Sequence, residues 1–364
     1  MSKIIQFQDS MFSYQKNKER IYRRLPELQV LDELIDRLAE YGSRTEVLRW
    51  LPYKDLEFPL YSITLGSEDV TKPCLFIVGG VHGLERIGSE VVNAVLTSTL
   101  RFMAWDDYYK DRFQHYRMVF IPILNPVGMY RLSRSNGNNV DLMRNAPVDS
   151  LEKTQFLYGG HRISPKLPFY RGEAGQMEPE SEALWEVVRT QVFPSQVSIA
   201  LDVHSGFGAK DRLWFPYAKS KDPFPFLAET HALSRLFNET YQNHVYTVEP
   251  QAKQYTTHGD MWDYFLDEFL KQRKENQMFL PLTLEMGSWA WIKKNPLQIL
   301  NPIGIFNPIR PHRRARMLRR HKNLVDFLRR AVLSHKKWVY LGEKERELHY
   351  KLAMEEWYAE RQTG

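Results

Sequence analysis

The sequence predicts an α/β fold: a mixed, mostly parallel sheet flanked by helices on both faces, with helical N- and C-terminal extensions. Three observations predict it. Apolar strand-length runs alternate with helix-periodic segments along most of the chain. With 364 residues, 43% of them hydrophobic and 26% charged, the composition is that of a globular chain able to bury a full core. Third, several strand runs close on a histidine or an acid, which is where ligands gather in such sheets.

Residues 1–27 are polar and aromatic with no clear period. Leu28, Leu31, Leu34, Ile35 and Leu38 mark an amphipathic helix that stops at Gly42. Strands are predicted near residues 47–51, 59–65, 74–78, 118–124, 197–203, 212–215, 244–248 and 281–285. Helices are predicted near 85–102, 180–191, 225–241 and 259–271. Residues 134–178, rich in Asn, Gly, Pro and Ser, read as long loops, which in a compact domain are usually functional. The predicted organisation is a helical extension over 1–55, a catalytic domain over 56–305 and basic, charged helices over 306–364.

The net charge of +6 is unevenly placed. Eleven Lys and Arg stand between Arg310 and Lys337 against Asp326 alone, leaving a mildly acidic remainder. Leu318, Val325, Leu328 and Val332 give that segment an apolar face that docks on the body of the protein, so nucleic acid is not the expected partner. The C-terminal helices offer a surface for a homo-oligomer. No run of about 18 apolar residues exists, so no membrane span is expected. The single cysteine, Cys74, excludes an internal disulfide and sits in a strand as a buried thiol. Together with an N-terminus that lacks a signal-peptide layout, this reads as cytoplasmic.

The chemistry begins at Phe76-Ile-Val-Gly-Gly-Val-His82-Gly-Leu-Glu85, a strand, a glycine turn and a His-x-x-Glu pair at the mouth of a helix. Gly83 lets the chain turn tightly enough for imidazole and carboxylate to converge on one divalent ion. A third donor comes from Ile199-Ala-Leu-Asp-Val-His204, another strand closing on a histidine. Two His and one carboxylate leave zinc an open position for water. Leu282-Thr-Leu-Glu285 places a second acid at a strand end, where burial raises its pKa toward that of a useful base.

Between these lie Asn125-Pro-Val-Gly128, Arg131, Arg134 and Val140-Asp-Leu-Met143-Arg144-Asn145. His-x-x-Glu, Asn-Pro-x-Gly, an arginine, Val-Asp-Leu-x-Arg-Asn, a strand ending in His and a strand ending in Glu occur in that order over about residues 75–290. The order resembles the zinc carboxypeptidase superfamily, which holds carboxypeptidase A relatives and the succinylglutamate desuccinylase/aspartoacylase branch. The resemblance implies a zinc carboxypeptidase-like fold and one Zn2+ per chain on His82, Glu85 and His204. It implies Glu285 as the base that activates water, and Arg134, rather than Arg131, as the cation that stabilises the oxyanion. It further implies Arg144 as the bidentate clamp on a substrate carboxylate and Tyr255 as a ring that closes over substrate. Asn145 and Met143 flank the clamp, and Trp262 falls at the offset of the specificity pocket's floor. Met143 is a departure, since the family usually has Asn there and a thioether cannot donate a hydrogen bond. The insertion over Phe265–Phe279, with six charged residues, is expected to lengthen the rim of the site.

The implied function is a zinc-dependent amide hydrolase that removes C-terminal residues from small peptides. The alternatives are an N-acyl amino acid amidohydrolase or cell-wall peptide amidase of the same superfamily, and a non-catalytic scaffold whose basic helix binds an acidic partner.

Overall fold

The computed structural model describes residues 2–359. In chain order the helices are α1 (Ser2–Tyr22), α2 (Pro26–Ala39), α3 (Arg86–Trp105), α4 (Asp107–Arg112), α5 (Pro126–Arg131) and α6 (Pro179–Val187). They continue as α7 (Leu227–Thr240), α8 (Met261–Gln272), α9 (Trp289–Lys294), α10 (Pro311–Leu333) and α11 (Glu343–Trp357). The strands are β1 (Arg44–Tyr53), β2 (Leu56–Gly66), β3 (Cys74–Gly79), β4 (Arg117–Ile121), β5 (Val197–Ser205), β6 (Arg212–Phe215), β7 (Thr247–Pro250) and β8 (Met278–Met286). None of the described helices is long and apolar enough to cross a membrane.

The strands form one eight-stranded sheet in the order β1-β2-β4-β3-β5-β8-β6-β7. Its centre is parallel: β3 pairs with β4 and β5, and β5 with β8. The hairpin β1–β2 joins antiparallel on one side and β6 joins antiparallel to β8 on the other. Every residue of β3, β5 and β8 is buried, as strands covered on both faces must be. Leu282 lines a small cavity with Leu233 of α7 and with Phe327 and Leu328 of α10 on one face. Phe193 meets Phe269 of α8 and Phe279 on the other. The period of two then puts Asp202 and His204 of β5 on the α8 face, level with Thr283 and Glu285 of β8.

The structure departs from the sequence reading in three places. The stretch read as aperiodic is the helix α1, docked through Tyr14 and Ile21. β1 belongs to the main sheet, so a boundary at 55/56 falls in the turn of the β1–β2 hairpin. The segment expected to lengthen the rim lies at the other end of the sheet: it completes α8 and turns into the first two residues of β8, where Gln277 bonds the carbonyls of Phe193 and Pro194 beside the start of β5. Of the charged helices expected over 306–364, α10 and α11 supply Pro311–Leu333 and Glu343–Trp357, and residues 360–364 lie outside the described residues.

Candidate metal centre

β3, β5 and β8 run parallel and release their carboxyl ends at one place. The loop after β3 carries His82, α3 opens on Glu85, β5 delivers His204, and β8 delivers Glu285 directly beside it in register. The metal loop has little freedom. Asn125 donates to the Val81 carbonyl (3.1 Å) and accepts from Gly128 N (2.8 Å), so the Asn-Pro-x-Gly turn holds the residue before His82. A Cβ at Gly83 would stand 2.0 Å from the Gly128 carbonyl carbon. Gly83 is therefore required for close approach rather than for an unusual φ.

His82, Glu85 and His204 are all buried, and their donor atoms lie within 4.8 Å of one another. Two imidazoles and a carboxylate are a zinc-type donor set, and His82 Nδ1 is buried with no hydrogen-bond partner among the described residues. The donors therefore fit a divalent ion. Glu85 Oε2 stands 3.1 Å from His204 Nδ1 and accepts from Ser205 N at 2.9 Å. Burial and then the charge of Arg134 hold the His82 imidazolium well below the usual histidine range. Burial acts the same way on His204, but the carboxylates of Asp202 and Glu85 outweigh it and hold that ring's pKa well above. Glu85 is held below its usual range, the charges of His82, His204 and Arg134 overriding the cost of its burial.

Arg134 lies across this cluster. Its Nε donates to Asp141 Oδ2 (2.8 Å), while Nη1 and Nη2 stand 3.3 Å from Glu85 Oε1 and 2.8 Å from His82 Nε2. Arg131 instead pins the carbonyls of Asn136 and Gly137 and is remote from the chemistry. Opposite the ligands, Glu285 Oε1 accepts from Phe207 N at 2.9 Å. Burial and the neighbouring Glu85 charge push its carboxyl up to about 8.

These groups share a cavity of about 270 Å³ with Met143, Arg144 and Tyr255. Arg144 is 3% exposed, has no acidic partner within ion-pair distance among the described residues, and leaves Nε without a hydrogen bond. Its backbone is locked by the loop carrying Tyr255: Gly259 adopts φ +70°, and a Cβ there would stand 1.9 Å from the Arg144 carbonyl oxygen. Tyr255 packs edge-on to Tyr158 (4.9 Å) and Trp214 (5.8 Å), and burial raises its hydroxyl well above the usual range.

Two expected substrate contacts are not brought to the cavity. Asn145 spends its amide on the carbonyls of Arg171 (3.0 Å) and Gln176 (3.3 Å) and accepts from Glu178 N, which ties down the loop over 171–178. Trp262 is buried under the site, its indole donating to Asp202 at 2.8 Å, so it forms no floor to this cavity. The walls include groups the sequence reading missed: Tyr158 and Phe169 from the long loops, Phe207, Trp214, Gln251 and Thr283, and Ile305 and Phe306 on either side of the 305/306 boundary. Only Asp141 and Asp202 carried a readable signal, as acids set in apolar stretches that close on site residues.

The arrangement, two His and a Glu at the carboxyl ends of parallel strands with an acid opposite, is a donor cluster on an α/β sheet that could hold a metal ion. The chain belongs to the zinc carboxypeptidase family, whose profile matches residues 55–288. It is 26% identical over 264 residues to Carboxypeptidase SOL1 of Arabidopsis thaliana, covering 67% of this chain and 46% of that protein. It is 24% identical over 218 residues to Carboxypeptidase B of Helicoverpa zea, covering 55% and 48%. The chain thus spans about half the length of the curated relatives it matches. In fold it is similar to thrombin activatable fibrinolysis inhibitor (TAFI), with TM-score 0.57 and 17% identity over 80% of this chain and 74% of that one. It is likewise similar to carboxypeptidase A from Helicoverpa armigera, with TM-score 0.52 and 14% identity over 78% and 71%.

Proposed function

We propose that the chain is a zinc metallocarboxypeptidase that removes C-terminal residues from small peptides, with one zinc held by His82, Glu85 and His204. The observation that carries the reading is Arg144, a buried guanidinium with no internal carboxylate, lining the same cavity as the metal donors and Glu285. Such a cation is costly to keep unless an anion arrives to pair with it. A peptide's terminal carboxylate does so bidentately.

Bound zinc supplies Lewis acidity, lowering the pKa of water and polarising a carbonyl. The remaining work falls to the protein's own groups. Arg144 fixes the substrate carboxylate, and Tyr255 closes the aromatic wall over it and excludes water. Arg134, anchored by Asp141, faces the scissile carbonyl and stabilises the negative charge that develops on its oxygen. Glu285 takes a proton from the attacking water and delivers it to the leaving amine. Burial and the neighbouring Glu85 charge raise this carboxyl above the usual range, which helps it to hold the proton between the two halves of that transfer.

Replacing Arg144 by Ala tests the reading. It should raise KM at least about tenfold for peptides with a free terminal carboxylate, the loss of one charge-assisted contact. Peptides amidated at the C-terminus should be poor substrates of both proteins. Equal hydrolysis of free and amidated peptides by the wild type would refute an exopeptidase. One observation favours an N-acyl amino acid substrate instead: Met143 lines the cavity beside Arg144 and brings no donor. Acyl-amino acids in the same substrate panel separate the two readings.

A further inference from the structure

Asp202 is a buried carboxylate that no step above uses. It lies in β5 two residues before His204, and it is 0% exposed. Among the described residues no lysine or arginine comes within ion-pair distance of it; its only such partner is His204, whose Nε2 stands 2.8 Å from Oδ2. The same oxygen accepts the indole N–H of Trp262 at 2.8 Å, while Oδ1 has no hydrogen-bond partner. The His204 contact is close but off the hydrogen-bond axis. Asp141, the acid near the other histidine, differs in being matched by Arg134.

An apolar strand does not retain an unmatched carboxylate for stability, because burying the charge is unfavourable unless something compensates it. The two nitrogens of His204 supply the explanation. Nδ1 faces Glu85, on the metal side, and Nε2 faces Asp202. We infer that Asp202, held in place by Trp262, is a positioning residue for His204. Its carboxylate faces Nε2, which keeps the ring proton on that nitrogen and leaves Nδ1 to donate to the metal, and it fixes the plane of the ring. Asp260 supports this arrangement: its Oδ1 accepts from Trp262 N (3.0 Å) at the start of α8, and the indole packs edge-on to Phe76. Outer carboxylates on metal-bound histidines act in this way in other metal centres.

The inference rests on the metal reading proposed above, and its test reads zinc affinity rather than turnover. Zinc dissociation constants would be measured by competition with a chromophoric chelator for the wild type, Asp202→Asn, Trp262→Phe and the double variant. Asp202→Asn should weaken binding about 10–100-fold. Trp262→Phe, which keeps an aromatic ring at the position but loses the N–H, should weaken it by a smaller factor. The double variant should bind no more weakly than Asp202→Asn, since Trp262 acts through Asp202. Zinc affinities equal to the wild type in both single variants would overturn the inference while leaving the metal site intact. A wild type that binds no zinc would overturn both. If Asp202→Asn does not fold, Trp262→Phe decides alone: weaker zinc binding supports the inference and unchanged binding overturns it.

Discussion

A methyl group at residue 83 would land 2.0 Å from a backbone carbon of Gly128, inside the turn that carries His82. Gly83→Ala must therefore push the two loops apart, at about 1–3 kcal/mol for overpacking. The displacement falls on the metal loop, so the variant is expected to lose zinc under dialysis that the wild type survives, as read by metal content. At this scale the sequence was legible wherever a site residue closes a buried strand or opens a helix. His82, Glu85, His204 and Glu285 each follow an apolar run, and the strands bring them together. Offsets counted far from such anchors were not reliable. Trp262 matches a spacing, but its indole hydrogen-bonds Asp202, and Asn145 turns its amide to a loop. Rotamer and partner decide where a side chain points, and neither is written in spacing.

The basic helix shows the same limit one level up. α10 buries Val325, Leu328 and Val332 of the expected apolar stripe, with Met317 and Leu324 beside them, while Leu318 is only partly buried against the core. Several of its cations are already matched within the protein. Arg314 pairs with Glu90, Arg320 with Asp211, and Arg329 and Arg330 with Asp326, while Arg313 caps the carbonyl of Trp291. Asp211 also accepts from Gly287 N at 3.0 Å, two residues beyond Glu285, so Arg320 helps to hold the end of β8. Arg320→Ala would leave the Asp211 carboxylate buried with one partner fewer, at roughly 1–3 kcal/mol. Arg319→Ala, at an exposed position, should stay within about 0.5 kcal/mol of the wild type. Melting temperatures check the pair, and equal loss in both would refute the latch. α1 was missed for a related reason: Phe7, Met11 and Phe12 stay exposed while Tyr14 and Ile21 are buried, so its apolar residues do not form one stripe.

Across the whole molecule, two buried groups far from the metal donors give stability opposite pH slopes. Glu180 is held under the Asn136 loop, and burial pushes its carboxyl from 4.5 up to about 7. The folded state holds that proton more tightly, so the contribution is complete below about 4.5 and is lost as pH rises through 7. His321, buried on α10 beside Tyr246, is pushed down from 6.5 to about 4, so its contribution is complete above 6.5 and is lost as pH falls through 4. Glu180→Gln should flatten the alkaline slope between pH 5 and 8 by an amount on the order of 3 kcal/mol. Denaturant titrations of wild type and variant across that range measure it, and parallel curves would refute it. The α/β class was legible because alternation reports it directly. The sheet order and the wall residues after 300 were not, since they depend on which distant segments pack together.

The central claim is that Glu285 performs proton transfer beside a zinc held by His82, Glu85 and His204. Its most direct test is the rate at which zinc-loaded wild type and Glu285→Gln release the C-terminal residue of a short blocked peptide, with metal content determined on the same samples. The account predicts equal zinc in both proteins and a variant slowed at least about 10²-fold. A variant that keeps the wild-type rate, or a zinc-loaded wild type that releases no residue from any peptide of a broad panel, would contradict it.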